Sequence, residues 1–98
     1  MSNSSITKSQ IADLVKAGVH EVLPHAKISR VKVEEDLDSS GERPILAIMV
    51  IFSKLPPLKG ENFFSLHEAV ENRLASVGEM RYPLLRYVEE KELRGAVS

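Results

Sequence analysis

The chain has 98 residues, 43% hydrophobic and 28% charged, with 13 Lys and Arg against 14 Asp and Glu for a formal net charge of -1. A chain of that size and balance builds one modest core, read here as a single domain over 1–98, and it lacks the basic excess that marks a binder of nucleic acid or of an anionic membrane. The absence of cysteine excludes a disulfide framework, a thiolate metal site and a cysteine nucleophile, and it fits a reducing cytoplasm.

Met1 to Ser5 are polar and have no signal-peptide pattern, and the longest apolar run, Ile45 to Phe52, is too short to span a bilayer. A cytoplasmic chain without a membrane partner is the expectation. The first periodic segment opens with Thr7 as a cap, Gln10 reaching back to it and Ile6 stapling against Ile11. Ile11, Leu14, Val15, Gly18, Val19 and Val22 then recur at helical spacing, and Pro24 forces a stop, which predicts a helix over Lys8–Leu23.

From Lys27 to Leu37 the period changes to two, with Val31, Val33 and Leu37 on one face and Arg30, Lys32 and Glu34 on the other, the pattern of a half-buried strand. Asp38-Ser39-Ser40-Gly41-Glu42-Arg43 is turn chemistry, so a hairpin leads into Ile45–Phe52. That strand is apolar at every position, which suits the centre of a sheet. Pro56 and Pro57 make the next stretch a loop, after which Asn62 is the expected cap of a second helix over about Phe63 to Val77. Its stripe is Phe63, Leu66, Val70, Leu74 and Val77, and Gly78 is its stop. Tyr82 to Glu89 is ambiguous, since Pro83 and Gly95 could bound a helix, but its aromatics and Val88 favour a strand. The order helix, strand, strand, helix, strand predicts an α+β chain folded as a two-layer sandwich. Its mixed sheet of three strands has the second in the centre and the third parallel to it through a crossover. Residues 1–6 and 91–98 are expected to be flexible tails.

Few residues point to chemistry. Asp36, Asp38, Ser40 and Gly41 resemble the opening of a calcium loop, but the place of the bidentate Glu is taken by Ala47 and the flanks read as strands, so a plain hairpin turn is the better reading. His20, His25 and His67 are the only imidazoles and show no spacing that promises convergence. There is no nucleophile elbow, phosphate-cradling loop or dinucleotide fingerprint. The expectation is a non-enzymatic chain with no metal and no cofactor. The acidic runs Glu34-Glu35-Asp36 and Glu89-Glu90 with Glu92, and the pair Pro56-Pro57, read as solvated surface and loop.

One feature does point to a partner. If both helices cover the same face of the sheet, half of an entirely apolar central strand is left in water. The exposed set is then either Ile45, Ala47, Met49 and Ile51 or Leu46, Ile48, Val50 and Phe52, with Arg30, Lys32 and Glu34 as a charged rim. If the helices cover opposite faces, or the tail folds over the stripe, no such surface exists.

The layout from Val31-Lys32-Val33-Glu34-Glu35-Asp36-Leu37-Asp38 to Pro44-Ile45-Leu46, closed by Arg81-Tyr82-Pro83-Leu84-Leu85, resembles short bacterial α+β proteins of unassigned activity. That resemblance implies no site. The element order is also similar to a minimal K-homology domain, without the Gly-x-x-Gly loop by which that family clamps RNA. The leading expectation is an interaction or regulatory module that works as a homodimer or by docking another protein, as the small member of a bacterial two-gene pair. Its interface is expected among Ile45, Leu46, Ile48, Met49, Val50, Phe52, Arg30, Lys32 and Glu34. The alternative is nucleic-acid binding through a local basic patch of Lys54, Lys59, Arg81 and Arg86.

Overall fold

The computed structural model describes residues 6–97, with side chains to Leu93. Helix α1 (Lys8–Val22) begins at a complete capping box. The Gln10 N–H donates to Thr7 Oγ1 at 3.1 Å and the Thr7 N–H to Gln10 Oε1 at 2.8 Å, which satisfies two donors that a helix start leaves free. The helix ends one residue short of the expected boundary, where the Leu23 N–H still reaches Val19 O at 2.8 Å before Pro24. Ile6, grouped with the flexible tail by sequence, packs against the core instead, while residues 1–5 of that tail lie outside the described residues.

Strands β1 (Ile28–Leu37) and β2 (Pro44–Phe52) form the antiparallel hairpin, with Lys32 opposite Met49 and Val33 opposite Ile48. The turn between them is organised by one carboxylate. Asp38 Oδ1 accepts from Ser40 Oγ at 2.6 Å and from the N–H groups of Ser40, Glu42 and Arg43. Gly41 supplies the positive φ of 75° that the turn needs. The Ser40 hydroxyl and the backbone N–H groups hold the Asp38 carboxyl below its usual range of 3.8.

Helix α2 (Gly60–Ser76) starts before the expected Phe63, because the chain is free to turn as soon as it leaves Pro56-Pro57. Asn62 therefore sits inside the first turn and is not the cap; its Nδ2 donates back to Pro57 O at 3.5 Å. Glu61 in the first turn complements the helix dipole. The far end is a Schellman closure: the Gly78 N–H reaches Ala75 O, the Glu79 N–H reaches Leu74 O, and Gly78 has φ 82°. Strand β3 (Tyr82–Glu89) pairs parallel to β2, with Leu85 beside Ile48, so the sheet order is β1-β2-β3 and β2 is central. The last segment, expected as a frayed tail, is helix α3 (Glu90–Val97). A Glu92 carboxylate oxygen accepts the Glu89 N–H at 2.9 Å, and Glu90 and Glu92 place negative charge at the helix start.

Both long helices lie on one face of the sheet. Ile11, Val15 and Val19 of α1, Leu66, Val70 and Leu74 of α2, and Leu46, Ile48, Val50 and Phe52 of β2 form a single buried cluster. Phe63 and Val77, assigned by periodicity to the core stripe of α2, are instead 47% and 43% exposed, because they fall at the two ends of the helix beyond the reach of α1. The two helices meet closely at Gly18, where an added Cβ would lie 3.1 Å from the Cα and N of Val70.

That contact makes a prediction. Gly18→Ala gains about 1 kcal/mol of helix propensity but forces backbone apart at a cost of about 1–3 kcal/mol, so the net expectation is a loss of about 1 kcal/mol in urea unfolding. Gly18→Leu should lose far more, and a stabilised alanine variant would show that the helix contact yields freely. The turn makes a second one. Because its folded pKa is depressed, Asp38 contributes stability that is present above 3.8 and lost as pH falls through the folded value. Asp38→Ala should melt below the wild type at neutral pH, and the two melting curves should converge in acid.

Candidate interaction surface

The register of the sheet determines what faces away from the helices. Side chains of paired residues share a face, so Leu46, Ile48, Val50 and Phe52 point into the core with Val33 and Val31. Their expected alternative role as interface residues is thereby corrected: all four are at most 1% exposed beneath α1 and α2. The opposite face carries Ile45, Ala47 and Met49 of β2, all partly exposed. Ile51, the fourth member of that stripe, is buried where β2 lies between Arg30 and Val88 near the start of α3.

Around this centre the neighbouring strands supply the rim. Leu84, Arg86 and Val88 of β3 are aligned with Ala47, Met49 and Ile51. On β1, Arg30, Lys32, Glu34 and Asp36 are aligned with Ile51, Met49, Ala47 and Ile45 in turn. All four of these charged residues are exposed, and among the described residues none of the four forms an ion pair. A shallow hollow of about 230 Å³ lies over the face, lined by Lys32, Glu34, Ala47, Met49, Leu84 and Arg86 together with Ile48 between Ala47 and Met49. Leu84, 51% exposed, and Asp36 were not among the expected interface residues. Leu84 could have been found from the alternation of Leu84, Arg86 and Val88 with Pro83, Leu85 and Tyr87.

The apolar surface continues round the β3 edge. A second hollow of about 330 Å³ is lined by Phe63, Phe64, His67, Tyr82, Leu84 and Tyr87 among others. Phe64 is 80% exposed, and Met80, near the start of the strand, is 86% exposed. Two adjacent phenylalanines on a helix point in different directions, which is the sequence signal for this patch. The Tyr87 ring is tilted against Phe52 and Phe63 at 6.3 and 5.9 Å. Its buried hydroxyl has no hydrogen-bond partner among the described residues, and burial pushes its pKa up to about 12.

The remaining candidates do not converge. His20 Nε2 lies 3.0 Å from Ala26 O, His67 packs on the Tyr82 ring and stands 3.9 Å from Glu71, and His25 lies exposed in the loop after α1. Among the described residues no three His, Asp or Glu side chains are placed to hold a metal ion. Lys54 and Lys59 lie beyond the C-terminal end of β2, whereas Arg81 precedes β3 at the other end of the parallel pair and Arg86 is on the open face. Arg81 is also neutralised locally, donating to both Glu79 carboxylate oxygens at 2.9 Å with Glu35 at 3.7 Å. Its hydrogen bonds to Glu79 raise the guanidinium pKa and lower that of the carboxyl. The four basic residues thus do not form one patch. No family model, curated protein or solved structure matches the chain.

Proposed function

We propose that the chain is a non-enzymatic protein-interaction module whose working surface is the sheet face turned away from α1 and α2. One observation carries this reading: β2 is apolar along its length, and α1 and α2 cover only one of its two sides, leaving Ile45, Ala47 and Met49 of the other side partly exposed. The uncovered side has Ala47 and Met49 at its centre and Lys32, Glu34 and Arg86 at its rim, which is the anatomy of an interface with an apolar core and a polar edge. At about 25 cal/mol per Å², covering a few hundred Å² of apolar surface contributes several kcal/mol before the cost of association. No helix among the described residues is long and apolar enough to cross a membrane. With no cysteine in the chain, this agrees with work in a reducing compartment such as the cytoplasm.

Adjacent residues of β2 test the reading because they point to opposite faces. Met49→Asp should leave the fold and its melting temperature close to wild type in thermal unfolding, because that side chain faces away from α1 and α2. Ile48→Asp should unfold the chain, since it buries an unpaired carboxylate in the core at a cost of several kcal/mol. Unfolding by both would show that the Met49 side is covered and would overturn the proposal.

A further inference from the structure

The four outward side chains of β1 run in blocks: Arg30 and Lys32 are positive, Glu34 and Asp36 negative. Reversed end to end, that series is its own electrostatic complement, because each cation then meets an anion. A surface made for an unrelated partner has no need of this property, whereas an isologous contact requires it, since the same patch must fit itself.

We infer that the occupant of the open sheet face is a second copy of this chain, docked face to face about a two-fold axis that crosses the strands at the level of Val33 and Ile48. This rests on the reading of that face as an interface. The axis brings β1 over β1 of the second copy in the opposite direction, so that Lys32 lies over Glu34 of the second copy and Arg30 over its Asp36. By symmetry each pairing occurs twice. Facing sheets pack about 10 Å apart, a gap that Lys and Glu side chains extended from both sides can close.

The apolar centre obeys the same operation. Met49 falls over Ala47 of the second copy, long against short, and the aliphatic stem of Arg86 falls over its Leu84. A two-fold axis along the strands instead of across them would put Lys32 over Arg86 of the second copy, like charge on like. The charges therefore select one of the two in-plane axes.

Charge reversal tests the geometry in the full chain. Lys32→Glu alone opposes two carboxylates twice in each dimer, and Glu34→Lys alone opposes two ammonium groups twice, so each variant should raise the dimer dissociation constant at low salt by about tenfold or more. The double variant Lys32→Glu/Glu34→Lys should return to near wild type. An equimolar mixture of the two single variants should form the heterodimer, in which every pair is again opposite in sign. Light scattering and native mass spectrometry read all four results, with Met49→Asp as the control for the face itself. A wild-type monomer across the concentration range would overturn the second copy as occupant, leaving the face reading to its own test. A dimer lost in Met49→Asp but indifferent to the charge variants would uphold the face and overturn the axis. Charge rescue in a dimer that tolerates Met49→Asp would place the contact between β1 edges and overturn face-to-face docking.

Discussion

Two strands that run parallel and side by side must be joined across a face of the sheet, and here α2 makes that crossing between β2 and β3. Once α2 lies on one face, the close approach of Gly18 to the Val70 backbone holds α1 beside it on the same face. The core then has to be one-sided: Ile11, Val15 and Val19 from one helix and Leu66, Val70 and Leu74 from the other bury Leu46, Ile48, Val50 and Phe52. Everything of functional interest follows from that asymmetry. The same strand that completes the core on one side offers Ile45, Ala47 and Met49 on the other.

The edges of the sheet are guarded in a way the face is not. Strand β1 presents a row of charged side chains, and β3 carries Pro83, which has no N–H to donate and is tolerated because β3 is an edge. Both devices discourage indiscriminate pairing with other strands. On the face itself the charges are confined to the rim and leave the apolar centre open. Leu84 belongs both to this centre and to the hollow beside Phe64, so the apolar surface extends past the β3 edge onto the first turns of α2.

Local chemistry made most of the fold legible in the sequence. The Thr7-Gln10 capping box, the Asp38 turn with Gly41, and the Gly78 stop each involve residues a few positions apart, and each forms as expected. The start of α2 is not legible at Asn62, which is a good cap in isolation, because the chain leaving Pro56-Pro57 turns earlier. Helix α3 is not legible in the sequence because its start depends on Glu92 reaching back to the Glu89 N–H, a single contact with no flanking apolar period. The exposed side of β2 could not be read from β2, which is apolar throughout and so has no period of its own. The information lay in β1. Once Leu37 is paired with Pro44 by the turn, counting back places Lys32 opposite Met49 and Val33 opposite Ile48, which assigns the polar side of β1 to the open face.

The block order of the β1 charges does more than balance. An alternating series of the same four charges would also complement itself when reversed, but neighbours along the strand would neutralise one another within each copy and leave little field to guide docking. In blocks, Arg30 and Lys32 reinforce each other at one end and Glu34 and Asp36 at the other, so β1 carries opposite charge at its two ends. Two such strands orient antiparallel. The blocks also penalise slippage: moving one copy by a single outward position in one direction puts Lys32 over Lys32 of the second copy, and in the other direction Glu34 over Glu34. An apolar stripe of only three side chains, Ile45, Ala47 and Met49, offers limited resistance to sliding. In the proposed dimer, burial of the stripe supplies the attraction while the charged edge of the same sheet sets direction and register.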